Sequence, residues 1–252
     1  MKIIRPNLLG EFPRLLCALS TRIGGVSPLP YGMNLSFKVG DKKENVIRNR
    51  ELFFDALGIS EGSVAIPRQV HGNTVRRVNQ PGAYPDCDAL VTNREGLFLG
   101  VTVADCIPVF VYDSTSQSIA AIHAGWKGTS AGVVTAAVHA LVQEFGADPH
   151  NMTVFIGPGA SVCCYKVGGE VASTFDSRFV AMNDGSAYLD LKGANAHQLL
   201  EVGVPQPQIE ASPYCTISDS QLFHSYRRDR DRSGRMMGVI GITPGPETRP
   251  TR

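Results

Sequence analysis

The stretch SIAAIHAGWKGTSAGVVTAAVHALVQEFGADPHNMTVFIG, residues 118–157, is the most legible structural unit of the chain. Ser118 to His123 is an apolar run of strand length, and AGWKG is turn chemistry. Beyond it Val134, Val138, Leu141, Val142 and Phe145 recur at helical spacing, with Gly146 placed to stop the helix and Thr129 or Ser130 to cap it. His139 falls inside this helix and is expected to be structural or solvated. NMTVFIG then reads as a second buried strand.

Upstream, DALVTNREGLFLGVTVADCIPVFVYD carries two or three strands separated by turn chemistry at Asn93 to Gly96. SVAIPRQVHGNTVRRV reads as a broken strand pair turning at His71, Gly72 and Asn73. KENVIRNRELFFDALGI is a helix with Gly58 as its stop, and residues 15–40 read as a strand, a Gly/Pro/Ser loop and a second short strand. Downstream, GPGASVCCYKVGGEV is a glycine-rich turn, a short strand and the start of a helix ending near Phe179. LKGANAHQLLEVGV is a further helix, and IEASPYCT and MMGVIGI are strands. Strands outnumber helices and come in neighbouring runs without strict βα alternation. The expected class is therefore α+β: two packed antiparallel or mixed sheets with helices outside, as one domain over residues 1–242. The tail TPGPETRPTR, residues 243–252, is expected to be disordered.

Composition narrows the function classes. With 252 residues and 43% hydrophobic content the chain can bury a full core, and 24 basic against 23 acidic residues leave a net charge of +1. That balance argues against a nucleic-acid or membrane-surface binder and favours a small neutral or anionic ligand. The N-terminus is broken by Pro6, Glu11 and Pro13, unlike a secretory signal, and no segment is long enough to span a membrane. Six cysteines (17, 87, 106, 163, 164 and 215) lack the spacing of a disulfide scaffold. A reducing cytoplasm is the simplest setting.

Three stretches bear chemistry together: RQVHGNT at His71, ADC at Cys106 and IHAGWKG at His123. Each candidate sits at the edge of an apolar run, where a strand ends and side chains can converge. Two imidazoles and a thiolate suit zinc or copper and leave a fourth position open, the pattern of a catalytic zinc. The separations match no short zinc motif, and a Cys106 nucleophile with His123 or His71 as base uses the same residues without metal. GPGAS offers backbone amides to an anion or is simply a tight connection. The arginines of SYRRDRDRSGR alternate with Asp and read first as a solvated, internally paired loop. Trp126 and Tyr165 can stack on a planar ligand or fill the core.

The ordered set STRIGGVS, GMNLS, VIRNR, RQVHGNTV, DCDALVT, GVTVADCIPV, HAGWKGT, GPGASVCCYKVGGEV and SYRRD resembles the YfiH-like family, also called the laccase-domain or multicopper polyphenol oxidoreductase-like family, across about residues 18–240. The resemblance implies a four-layer α/β/β/α sandwich and a zinc site with His71, Cys106 and His123 as ligands. It implies purine nucleoside phosphorylase activity on adenosine, inosine, guanosine and methylthioadenosine, with adenosine deaminase activity alongside. Nucleoside and phosphate are then the partners, and the protein a monomer or small homo-oligomer. Other members are described as polyphenol oxidases or as amidases acting on peptidoglycan precursors, and a non-catalytic zinc protein is the third alternative. Six histidines fall short of a blue copper site plus a trinuclear cluster. Asp105 is the candidate proton shuttle beside the three ligands, and Asn34, Arg68, Gln69, Lys127, Tyr165 and Arg227 are candidate substrate contacts. One departure concerns Lys166, where the family usually carries Glu.

Overall fold

The computed structural model describes residues 1–245. Strands that are apolar on both faces dominate it, and the reason is layering. In IPVFVYD, Ile107, Val109 and Val111 point to one side, while Phe110 and Tyr112 point to the other; SIAAIHA divides in the same way. Both faces are covered, so the usual apolar–polar alternation of a half-buried strand is absent.

One six-stranded mixed sheet runs β1 (Ile3–Ile4), β2 (Leu15–Ser20), β15 (Met236–Ile242), β7 (Phe98–Val103), β3 (Val64–Pro67) and β5 (Gly82–Tyr84). A second runs β14 (Ile209–Ala211), β10 (Met152–Ile156), β8 (Ile107–Asp113), β9 (Ser118–Ala124), β6 (Ala89–Thr92) and β4 (Val75–Arg77). A small antiparallel sheet of β11 (Lys166–Val167), β13 (Ser186–Leu189) and β12 (Val180–Asn183) completes the set; β11 is the short strand expected in GPGASVCCYKVGGEV, while β12 and β13 lie outside the sequence-based expectations. The helices are α1 (Asn7–Gly10), α2 (Lys43–Leu57), α3 (Trp126–Ser130), α4 (Val133–Phe145), α5 (Gly169–Ala172), α6 (Leu191–Glu201) and α7 (Tyr226–Asp229).

The two large sheets bury Leu99, Val101 and Ile240 of one against Leu90, Phe110, Ile119, Ala121 and Phe155 of the other. Gly238 permits this contact, because a Cβ there would stand 2.4 Å from the Phe110 ring. Outside the first sheet, Phe53, Phe54 and Leu57 of α2 cover Ala18, Val64, Phe98 and Val239. Outside the second, Val134, Ala137, Val138 and Leu141 of α4 and Leu199 of α6 cover Val109, Val111, Ile122 and Val154. The order is therefore helix, sheet, sheet, helix, an α+β architecture of mixed sheets. Among the described residues no helix is long and apolar enough to cross a membrane.

Several local expectations are corrected. The runs SVAIP and TVRRV are not a strand pair, since β3 belongs to the first sheet and β4 to the second. Likewise β6, β7 and β8 alternate between sheets, so neighbours in sequence are crossovers rather than hairpins. Residues 15–40 contain only β2, followed by turns. The turn AGWKG winds straight into α3, and Gly132 at φ 76° breaks it from α4, so neither Thr129 nor Ser130 caps the long helix. Thr129 instead turns its hydroxyl to the buried Asn195 amide. The helix expected to run to Phe179 is the single turn α5 with a short 3-10 turn, Ser177–Phe179, beyond it. Of the expected disordered tail, Thr243 is held by its amide and hydroxyl to the Arg14 carbonyl, while residues 246–252 lie outside the described residues.

Candidate metal centre and active-site cavity

The crossovers between the sheets carry the candidate ligands. Cys106 lies between β7 of the first sheet and β8 of the second, and His71 lies between β3 and β4. His123 is placed by register: Ile107 pairs with Ala124 and Pro108 with His123, which sets Cys106 beside the end of β9. One donor atom from each of His71, Cys106 and His123 lies within 4.8 Å of the others, and the imidazoles meet edge to face at 4.8 Å between centroids. Gly125 makes room, since a Cβ would sit 2.9 Å from the Cys106 sulfur and 3.1 Å from His71 Cδ2. Gly128 does the same against the Gly72 carbonyl, at 2.8 Å. His71 at φ 62° and Asp105 at φ 83° both hold left-handed backbone, a strain that concentrates at functional sites.

Asp88, fully buried, organises the cluster, and sequence reasoning missed it. Ala89 pairs with Ile122, so the register brings Asp88 opposite His123. Its Oδ1 accepts from His123 Nδ1 at 2.8 Å and from the His71 amide at 2.9 Å; its Oδ2 accepts from the amides of Gly72 at 2.7 Å and Val70 at 3.2 Å. Burial pushes this carboxyl up, but His123 and the loop amides outweigh that and hold it below the usual range. The proton is thus kept on His123 Nδ1, leaving Nε2 for the cluster. The DCDALVT motif contained this residue, yet its partner could be identified only from the register.

Burial also opposes charge on Cys106 and His123, and their mutual attraction overrides it. The thiol is drawn down to about 6, by His123 and then His71, and the imidazole is raised to about 9 by Cys106 and Asp88. The pairing favours a Cys106 thiolate beside a His123 imidazolium, and a bound metal would take the place of the Nε2 proton.

The cluster opens into a cavity of about 1200 Å³. Lys38, Arg50, Arg68, Arg227, Arg230 and Arg235 line it against Glu61 and Asp105, and Trp126, Tyr165, Ile66 and Pro67 give apolar surface. Arg227 lies over the Tyr165 ring at 5.1 Å and donates to the Lys166 carbonyl at 2.6 Å.

The sequence candidates divide on this geometry. Arg68, Gln69, Tyr165 and Arg227 reach the cavity. The Gln69 amide is already spent on Thr102, with contacts to its N, O and Oγ1, so it fixes the wall. Asn34 is fully buried and bonded to Ser36, Asp41 and the Arg235 amide, behind the cavity lining that Leu35, Ser36 and Arg235 form. Lys127 is exposed, with its ammonium over Trp126, and is not part of the wall. Asp105 lines the cavity, but Thr216 Oγ1 at 2.7 Å and the Arg227 amide at 2.6 Å occupy its two oxygens; it is placed as a clamp on the arginine segment. That segment is not simply a solvated loop: Arg227, Arg230 and Arg235 face the cavity, and Arg228 ties down the carbonyls of Thr216, Ile217 and Phe223. Lys166 is exposed and contributes a carbonyl, not a side chain, to this wall.

The family model described as multi-copper polyphenol oxidoreductase laccase matches residues 16–243. The chain belongs to this laccase-like, YfiH family. Among relatives, purine nucleoside phosphorylase YlmD of Bacillus subtilis is 33% identical over 246 residues, covering 90% of this chain and 88% of that one. Purine nucleoside phosphorylase ORF3 of Streptomyces griseus is 40% identical over 234 residues, covering 89% and 93%. The solved structure of YlmD from Geobacillus stearothermophilus superposes with a TM-score of 0.88 at 31% identity, over 92% of this chain and 93% of that one. That of Bacillus licheniformis protein YfiH gives 0.87 at 31%, over 91% and 93%. The copper in the family's description meets a histidine problem here. His139 is exposed on α4, His150 pairs with Asp148, His197 lies by Arg178 and Glu201, and His224 is buried alone. Only His71 and His123 come together, so the described residues hold no set for a trinuclear cluster.

Proposed function

We propose that this chain is a zinc-dependent purine nucleoside phosphorylase with adenosine deaminase activity, working in a reducing, cytoplasmic setting that suits its six free thiols. The observation that carries the reading is the junction of an N,N,S donor cluster with a cavity walled by arginines and aromatic rings. The donor set fits zinc: His71, Cys106 and His123 would hold it, and Asp88 fixes the tautomer of His123. Zinc held there would supply Lewis acidity toward a substrate oxygen.

The remaining roles belong to the protein. Arg68, Arg227, Arg230 and Arg235 neutralise and orient phosphate, whose oxygen displaces the purine from the anomeric carbon as the C–N bond breaks. Tyr165 and Trp126 supply flat surface for the base. Asp105 positions the Arg227 amide and with it the guanidinium on Tyr165. Adenosine, inosine, guanosine and methylthioadenosine share the purine face that this wall accommodates.

The test is product analysis with metal-quantified protein and adenosine, with and without phosphate. Adenine and ribose 1-phosphate formed only with phosphate support phosphorolysis, and inosine formed in both supports deamination. Adenosine surviving both conditions in fully metallated protein refutes the proposal. The resting Cys106 thiolate favours a second reading, a metal-free cysteine amidase or hydrolase. It predicts activity that chelators leave intact and thiol alkylation destroys.

A further inference from the structure

Three other thiols converge outside this cavity. β10 and β14 are parallel neighbours, and the chain beyond each remains paired, with Gly159 bridged to Cys215. The first segment carries Cys163 and Cys164 in a turn closed by the Cys164 and Tyr165 amides on the Ser161 carbonyl. The second carries Cys215. The three sulfurs lie within 4.8 Å of one another, with Cys163 and Cys164 3.4 Å apart. Thiolates about 2.3 Å from a shared ion stand about 3.8 Å apart in a tetrahedral site and about 4.0 Å in a trigonal one. The separations in the cluster, 3.4 Å for one pair and at most 4.8 Å for any, bracket that spacing.

Its surroundings suit negative sulfur. The Ser161, Ile217 and Ser218 backbones and the Ser218 side chain lie around the Cys215 sulfur. Lys192, largely buried, donates to the carbonyls of Ser212 and Tyr214 and brings a positive charge beside the thiols. Cys215 is buried while Cys163 is exposed, so the pocket has a floor and an entrance. A disulfide uses two of three thiols and leaves one spare, and the adjacent Cys163 and Cys164 are poorly disposed to bridge each other.

We propose that Cys163, Cys164 and Cys215 form a second metal site, of thiolates alone, for a thiophilic d10 ion, Zn(II) or Cu(I). The ion staples two segments that also build the cavity wall: Tyr165 follows Cys164 directly, and Thr216, which holds Asp105, follows Cys215. Soft sulfur donors select such ions over hard cations. Binding releases the remaining thiol protons to solvent and changes no oxidation state.

The test uses the full chain, reduced and handled without oxygen, saturated separately with Zn(II) and Cu(I) and then freed of excess. Metal is counted per chain in the wild type, Cys106→Ala, Cys163→Ser and Cys215→Ser. Cadmium-113 resonance distinguishes a sulfur-only site from one with two nitrogens. Two ions in the wild type and one in each variant are expected, with Cys163→Ser losing the sulfur-rich signal alone and Cys106→Ala keeping it. Added metal should also raise the thermal midpoint of Cys106→Ala, which keeps only the second site, and not that of the double variant Cys106→Ala with Cys163→Ser. A second ion seen with Cu(I) only supports the site and names its metal. Cys163 is exposed, so its variant remains informative even if Cys215→Ser fails to fold. A single ion per wild-type chain with both metals overturns the proposal, as does a second ion that survives Cys163→Ser unchanged.

Discussion

Replacing Asp88 with Asn tests how the cluster is organised. All four groups around this carboxylate are donors: the amides of Val70, His71 and Gly72, and His123 Nδ1. An amide keeps one oxygen, so its NH2 must face two of them. Turned toward the loop, it leaves the Val70 and Gly72 amides unpaired. Turned the other way, it strands the His71 amide and drives His123 to carry its proton on Nε2, removing the lone pair the cluster needs. Each stranded donor in this part-buried loop costs about 1–3 kcal/mol, so the apo-protein should lose about 1–3 kcal/mol in the cheaper orientation and up to about 6 kcal/mol in the other. If the cluster holds metal as proposed, affinity should fall about 10–100-fold, the usual loss when the partner of a metal-bound imidazole is removed. Urea titration of the apo-protein gives the first quantity, and chelator competition at constant pH gives the second. A variant within about 1 kcal/mol of wild-type stability, binding zinc within about twofold, would refute this reasoning.

Gly125→Ala should leave the fold intact, because Gly125 has ordinary extended backbone at φ −77°. Its new methyl collides with Cys106 and His71, so zinc affinity should drop about tenfold or more by the same competition assay. His224 is buried with neither ring nitrogen partnered among the described residues, and burial, reinforced by Arg22 and Arg235, lowers it from 6.5 to about 3. The unfolded chain therefore takes a proton that the folded one refuses, and stability is lost as pH falls from about 6.5 to about 3, by up to about 5 kcal/mol. His224→Phe should flatten that acid limb relative to wild type in denaturant titrations across this window; an unchanged slope rules out the assignment. Arg68→Ala should raise KM for phosphate about tenfold or more, whereas Lys127→Ala, altering a side chain outside the cavity, should keep it within about twofold.

Much of the fold was legible because its signals are local. The α2 stripe ends at Gly58 in left-handed conformation, and α4 ends in the same way at Gly146. The apolar runs of β8, β9, β10 and β15 declare themselves. Strand partnership was not legible, since β3, β4, β5, β6, β7 and β8 switch sheets at each connection, and an apolar run carries no mark of which sheet it joins. The same limit applied to the site. His71, Cys106 and His123 stand out by residue type at strand edges, but Asp88 looks like any acidic residue before an apolar run until pairing sets it against His123. The arginines after Ser225 alternate with Asp in the manner of a solvated loop; their division between cavity and clamp follows from the clamp made by Asp105 and Thr216, distant in sequence. Thr129 was misread as a cap because the left-handed break at Gly132 lies inside what reads as one continuous helix.

The two crossovers that carry His71 and Cys106 make the donor cluster a gauge of how the sheets sit on each other. Slippage between them moves Cys106 relative to His123, which rides on the second sheet alone. Substitutions deep in the sandwich, such as an enlarged residue at Gly238 against Phe110, should therefore register as weakened metal binding before the protein unfolds. Selection for catalysis then also acts on packing far from any substrate, because ligand spacing and sheet alignment are one geometric variable.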